Sequence, residues 1–171
     1  MSNLDPFIQD VKKLTLHEFA AKYSHPFLIV HGQRPLDSDE ELAKDTDLES
    51  TGEARSDISI YPVKEQSDSS AFGFMTIGRS VKNHIVMSSR MVSKIHAIIH
   101  KIQDTYTIVD ANSNNGTKLN NQTLSPNIPH LLHDGDTVIL AGRVLLQFLV
   151  CSSAYKWLQD KAGDPMLTPG E

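Results

Sequence analysis

The chain has 171 residues, of which 39% are hydrophobic and 22% charged; this fits one ordinary domain with extensions and excludes wholesale disorder or two full domains. No apolar run approaches the ~20 residues that span a bilayer, the start lacks the basic-then-apolar order of a secretory signal, and a single cysteine, Cys151, excludes a disulfide scaffold and suits a reducing cytoplasm. A formal net charge of −5 argues against general nucleic-acid or anionic-membrane binding.

The first 25 residues read as a helical extension. Asp5-Pro6 supplies an N-cap and a first-turn proline, and Phe7, Ile8, Val11 and Leu14 recur at helical spacing. Thr15-Leu16-His17-Glu18 has the spacing of a capping box, with Phe19, Ala20 and Tyr23 on a short second helix. Both apolar stripes read as packing surface. Pro26 ends that pattern, and Phe27–Val30 suits a buried strand. Residues 33–57 are poor in apolar side chains and dense in like charge, so they read as a mobile, solvated insertion.

From Ile58 the pattern changes to short β-runs separated by turn residues. Strands are predicted at Ile58–Val63, Phe72–Ile77, Ile85–Met87, Ala97–Ile102, Tyr106–Val109, Thr117–Leu119, Thr137–Leu140 and Val144–Leu149. Polar turns about every eight to twelve residues, without strand–helix alternation, define an all-β class and point to a β-sandwich. In the remaining segment, 151–171, Ser152–Asp160 reads as a helix packing Tyr155, Trp157 and Leu158 back on the sandwich, followed by a loose tail.

Charge is distributed unevenly. Residues 36–57 hold nine of the 21 acidic residues and two of the 16 basic ones, a local net of −7. Between Asp68 and Asp104 there is no carboxylate, whereas Arg79, Lys82, Arg90, Lys94 and Lys101 all fall there. Such a stretch in an acidic chain is a candidate anion-binding surface.

The residues suited to hold an anion lie at strand ends. Gly78-Arg79 ends one predicted strand and sets a guanidinium at a loop mouth. Ser93-Lys94-Ile95-His96 enters the next, and period-2 spacing would send Lys94 and His96 to one face. In Ser113-Asn114-Asn115-Gly116-Thr117 a tight turn is expected, with Gly116 at positive φ. These are hydrogen-bond donors with no accompanying carboxylate, and each bond to an ionised group contributes about 1.5–3 kcal/mol.

The ordered set Gly78-Arg79, Asn83-His84-Ile85, Val92-Ser93-Lys94-Ile95-His96-Ala97, Tyr106-x-Ile108-x-Asp110, Ser113-x-Asn115-Gly116-Thr117-x-Leu119-Asn120 and Leu132-x-Asp134-Gly135-Asp136 resembles the forkhead-associated (FHA) domain family. The motif run covers 77–149, and with the two leading strands the resemblance extends over about 26–150. It implies an eleven-stranded β-sandwich whose loops at one end bind phosphothreonine in a partner protein. By that resemblance Arg79 contacts the phosphate, Ser93 donates its hydroxyl to a phosphate oxygen, and Lys94 is a nearby cation. Asn114 stands where the family often has a small hydroxylated residue, and its amide still donates. Asn115 would bond the peptide backbone beside the phosphoresidue. Gly78, His96, Gly116 and Thr117 shape the loops.

Two departures stand out. Lysine at 94 replaces the fork of an arginine with a point charge. Asn120-Asn121 replaces the common Asn-Gly turn, and because asparagine tolerates left-handed geometry the hairpin is expected to survive.

The resulting expectation is a non-enzymatic, phosphothreonine-dependent protein-binding adaptor in Ser/Thr kinase signalling, cytoplasmic, without cofactor or metal, and without nucleic-acid binding or membrane insertion. The alternative is a phosphate-independent interaction module of the same fold within a larger assembly. His130 and His133 with Asp134 and Asp136 invite a metal reading, but Pro129 and the Asp-Gly-Asp turn argue against the helix that pairing would need. No nucleophile-elbow pattern accompanies the Ser, His and Asp residues present, and Cys151 reads as a buried or half-buried small hydrophobe and not a nucleophile. The acidic insertion reads first as a solvated loop; the sharper alternative is that it competes for the basic site and that Thr46 or Thr51, if phosphorylated, is a ligand in the same or a neighbouring copy.

Overall fold

The computed structural model describes residues 4–31, 58–64 and 73–163. The acidic stretch 33–57, including Thr46 and Thr51, and the tail from residue 164 lie outside the described residues.

Two helices open the chain, α1 (Asp5–Lys13) and α2 (Leu16–Lys22). Asp5 is the first helical residue of α1 instead of its cap; Leu4 holds the cap position without a side-chain bond, and Pro6 sits in the first turn where no amide partner is required. For α2 the capping box forms as predicted: Thr15 Oγ1 accepts from Glu18 N–H, and Glu18 accepts from Thr15 N–H at 2.8 Å.

Eleven strands follow, in two sheets. They are β1 (Phe27–His31), β2 (Ile58–Pro62), β3 (Gly73–Gly78), β4 (Ile85–Val86), β5 (Ala97–Ile102), β6 (Thr105–Asp110), β7 (Thr117–Leu119), β8 (Gln122–Thr123), β9 (His130–Leu132), β10 (Thr137–Leu140) and β11 (Val144–Leu149). One sheet runs β2-β1-β11-β10-β7-β8 and the other β4-β3-β5-β6-β9. The residue pattern does not mark β8 and β9, because runs of two and three residues carry no readable alternation. Helix α3 (Cys151–Ala162) closes the chain.

Side-chain alternation builds two apolar layers from one strand. Leu28 and Val30 of β1 face inward, into a core shared with Met75, Ile77, Ile99, Ile108, Leu146 and Phe148. Phe27 and Ile29 face outward and are equally buried, because α1, α2 and α3 cover them with Ile8, Val11, Phe19, Tyr155 and Leu158. That is why β1 reads as a continuous apolar run without alternation. The helical stripes are packing surface, as expected.

The register sets which loops meet. Gly78 ends β3, Ala97 begins β5, Asp110 ends β6 and Thr117 begins β7, and the β6–β7 connection crosses from one sheet to the other at that end. Leu140 of β10 pairs with Thr117, and Ala141 N–H donates to Gly116 O at 2.9 Å. His31 pairs with both Leu145 and Ile58, so β1 also ends, and β2 begins, at this end of the sandwich.

Candidate functional site

Three loops form the site: β3–β4, β4–β5 and β6–β7. Gly78 lets the first two touch. A Cβ at this position would run into the Lys94 carbonyl oxygen and stand 2.9 Å from Asn83 Nδ2, so glycine is required by close approach and not by φ. Through that contact Arg79 N–H donates to Ser93 O at 3.0 Å and Ser80 N–H to Lys94 O at 3.2 Å. Asn83, buried, donates its side-chain amide to Ser80 O and Lys94 O, at 2.8 and 2.6 Å.

His96 joins the second loop to the third. Its Nδ1 accepts from Ser93 N–H at 3.0 Å, so its Nε2 carries the hydrogen and donates to Gly116 O at 3.1 Å. The ring is fully buried, and the period-2 expectation for Lys94 and His96 is corrected here: residues 93–96 are loop, β5 begins only at Ala97, and Lys94 is exposed while His96 lies beneath.

Burial holds His96 below the usual imidazole range, opposed by the bond to Gly116 and the nearby Asp110 carboxylate. His25 and His31 are lowered by burial too. Histidines that stay neutral in the folded state but charge in the unfolded one favour unfolding under acid. Their contribution is complete above the unfolded value near 6.5 and falls as pH drops below it toward the folded values. The melting temperature is therefore expected to fall between pH 7 and 5, before carboxylate protonation begins, with His96→Gln flattening part of that slope; a scanning-calorimetry series across these pH values measures it.

The third loop hangs on Asp110, whose side chain is almost wholly buried. Its carboxylate accepts from Ser113 N–H at 2.9 Å, Ser113 Oγ at 2.7 Å and Thr117 Oγ1 at 2.5 Å. Burial raises its pKa, but the bonds from Thr117 and Ser113, with the nearby His96, outweigh this and hold the carboxyl below its ordinary value. Gly116 has φ +73°, as expected, and Asn112 adopts φ 57° without being glycine. Asn120 and Asn121 have φ 49° and 67°, so the β7–β8 hairpin forms on two asparagines as predicted.

The loops enclose an open depression of about 360 Å³. Arg79, Ser93, Lys94, Asn114 and Asn115, the five residues expected to bind ligand, all line it. Ser93 Oγ accepts from Asn114 N–H at 3.1 Å, a bond that leaves its own proton to donate. Asn115 Nδ2 donates to Met91 O at 2.8 Å, locking the third loop to the second. Arg90 and Asn112 line the depression as well, beyond the five residues expected there. For Arg90 the signal was present, since it lies in the carboxylate-free interval three residues before Ser93; for Asn112, a left-handed residue in a polar turn, sequence offered nothing that distinguishes it from its neighbours. Met91 and Ile95, both exposed, form an apolar part of the wall.

Among the described residues, Arg79, Arg90 and Lys94 take part in no ion pair, and no carboxylate lines the depression. The other motif carboxylates lie at the opposite end. Asp134 caps α3, accepting from Val150 N–H and Ser153 Oγ at 2.8 and 2.6 Å. Asp136 accepts from His133 N–H and Asn120 Nδ2, both at 2.7 Å. His130 sits on strand β9, so the helical pairing with His133 does not arise. Cys151 is half-buried, and burial pushes its thiol up, away from a reactive thiolate.

Fold and site give a β-sandwich that presents cations and amide donors on preset loops at one end, an arrangement with the chemistry to hold an anionic group. Residues 75–141 match the family model of the FHA domain, and the chain contains a forkhead-associated domain. It is 40% identical over 62 residues to Protein FraH of Nostoc sp., a stretch covering 36% of this chain and 22% of FraH; the chain thus matches about a fifth of that relative. Among solved structures it is similar to the FHA domain of an Arabidopsis thaliana hypothetical protein (22% identity, TM-score 0.51, 74% of this chain and 86% of that one). It is also similar to the FHA domain of CT664 protein from Chlamydia trachomatis (17% identity, TM-score 0.50, 72% and 96%). The likeness to these two structures concerns the fold, an FHA-type β-sandwich. No helix among the described residues is long and apolar enough to cross a membrane.

Proposed function

We propose that this chain is a phosphothreonine-dependent protein-binding module, acting as an adaptor in Ser/Thr kinase signalling. The observation that carries the reading is the depression itself: three cations that make no ion pair among the described residues and a Ser93 hydroxyl with its proton to spare converge on a lining that holds no carboxylate among those residues. A phosphothreonine brings about −1.5 to −2 charges and three acceptor oxygens to such a place. Arg79 takes the phosphate with its fork, Ser93 donates from the floor, and Lys94 and Asn114 complete the shell. Asn115, already bonded to Met91, keeps its amide oxygen and second hydrogen for the peptide backbone. The loops are cross-bonded before ligand arrives, which lowers the ordering cost of binding. The task is equilibrium binding and calls for no cofactor. A single cysteine suits the reducing cytoplasm in which such kinases work.

Calorimetry with a threonine peptide and its phosphorylated twin tests this. Binding is expected for the phosphorylated form alone; equal affinity for both would instead favour a phosphate-independent interaction module of the same fold. A lysate pull-down with and without phosphatase treatment then identifies the partner.

The acidic stretch deepens the reading. It joins β1 to β2 and therefore leaves and re-enters the sandwich at the end that carries the depression. Its net −7, from nine of the 21 acidic residues, is the largest concentration of counter-charge in the chain. Replacing residues 36–57 with a short neutral linker is expected to raise phosphopeptide affinity several-fold at low salt, with the gain vanishing at high salt as screening sets in. An unchanged affinity at low salt would remove competition by this stretch, and with it self-recognition through Thr46 or Thr51.

A further inference from the structure

We infer that the ligand carries a second anion within about four residues of its phosphothreonine, and that Arg90 is the residue that selects it. The inference rests on the phosphothreonine reading above and names what the same site asks of the rest of the peptide. A phosphothreonine brings about −1.5 to −2 charges. Arg79, Arg90 and Lys94 all line the depression, and no carboxylate lies among the described lining residues. One phosphoresidue therefore leaves about one positive charge without a counterpart. Arg79 and Lys94 belong with the phosphate, since Arg79 N–H donates to Ser93 O and Lys94 follows Ser93 in the chain. Arg90 is the cation left over.

Local structure fixes where Arg90 stands. Residues 89–92 form a β-turn, closed by Val92 N–H on Ser89 O at 3.1 Å and braced by Met91 N–H on Ser89 Oγ at 3.3 Å. Arg90 is the second residue of that turn, and its side chain is exposed. Val92, fully buried, anchors the turn in the core of the sandwich, so the guanidinium rises from a backbone that binding does not have to order. Two rungs then join this loop to the β6–β7 loop: Ser93 Oγ to Asn114 N–H, and Met91 O to Asn115 Nδ2. Arg90 is the next residue beyond the second rung. A phosphate held at the first rung and a peptide backbone met at the second bring a neighbouring ligand side chain to Arg90, because an extended chain advances about 3.3 Å per residue. A carboxylate or a second phosphate there receives the planar fork of the guanidinium through two parallel bonds.

Calorimetry on the full chain tests the inference with short peptides, each holding one central phosphothreonine in an alanine, glycine and serine background. Aspartate, phosphoserine or leucine replaces a single alanine at each position up to about four residues on either side. At one or two adjacent positions aspartate is expected to tighten binding about three- to tenfold over alanine, and phosphoserine at least as much. A gain from both assigns the ligand to a threonine with an acidic neighbour; a gain from phosphoserine alone assigns it to a doubly phosphorylated segment. Arg90→Gln is expected to bring the gain to within about twofold of none, whereas Lys82→Gln, a cation of the adjoining loop that does not line the depression, keeps it. Comparing the ratio of affinities within each protein cancels whatever a substitution does to phosphate binding itself. Leucine is the control for the exposed Met91 and Ile95 in the wall. No gain at any position, an equal gain at all of them, a gain that survives in Arg90→Gln, or leucine preferred over both anions would overturn the inference and leave phosphothreonine recognition standing. No binding by any of the phosphorylated peptides would overturn both.

Discussion

Replacing Arg79 with alanine is expected to lower affinity for a phosphothreonine peptide by a factor of roughly 100–10,000 while the domain stays folded, since two charge-assisted bonds at about 1.5–3 kcal/mol each are lost and every 1.4 kcal/mol is tenfold. The fold is expected to survive because what Arg79 gives the structure comes from its backbone: its N–H bonds Ser93 O, while its side chain is exposed and makes no ion pair among the described residues. Arg79→Lys keeps the charge and loses the planar fork, so one of the two bonds goes and the loss is expected near tenfold or somewhat more. The order wild type, lysine, alanine, measured by calorimetry at fixed ionic strength, separates bidentate recognition from a diffuse basic surface, where lysine would match arginine. Equal binding by all three proteins would contradict the assignment of Arg79 to the phosphate.

Asp110→Ala is expected to cost about 3 kcal/mol or more of folding stability, because donors from Ser113 and Thr117 lose their acceptor and a buried unsatisfied donor costs about 1–3 kcal/mol. Thr117 is fully buried, so water does not replace the carboxylate at its hydroxyl. The same substitution is expected to weaken phosphopeptide binding although Asp110 does not line the depression, since it holds the turn that carries Asn114 and Asn115. Asp110→Asn discriminates further: its amide oxygen still accepts, but its NH2 faces a second donor, so an intermediate loss is expected in both measurements. Chemical denaturation gives the stability and calorimetry the affinity. The lowered folded-state pKa means that Asp110 contributes fully above its unfolded value near 3.8 and loses that contribution as pH falls through the folded value, a window well below the one in which the histidines act.

The site is composed of two kinds of residue, and they differ in how plainly a sequence shows them. Arg79, Ser93 and Asn115 stand in strand-end loops where a donor without a carboxylate is already informative, and the absence of Asp and Glu between 68 and 104 marked the surface before any coordinates. Those that hold the loops in place, Asn83, His96 and Asp110, are polar groups buried under them, and nothing in their local sequence reveals that burial. Gly78 shows the same divide: a glycine before an arginine suggests a turn, whereas the actual constraint is the Lys94 carbonyl sixteen residues away along the chain.

Strand periodicity, turn chemistry and the capping box at Thr15 act within a few residues, and so the sandwich class, most strand positions and both N-terminal helices were readable from local pattern alone. Pairing order, the burial of β1 on both faces, the orientation of His96 and the convergence of three loops on one depression depend on contacts between distant residues, with Ser93 meeting Asn114 and Gly116 meeting His96. Those contacts exist only once two sheets have stacked, because stacking fixes the strand ends that carry each loop, and no window of neighbouring residues contains that information.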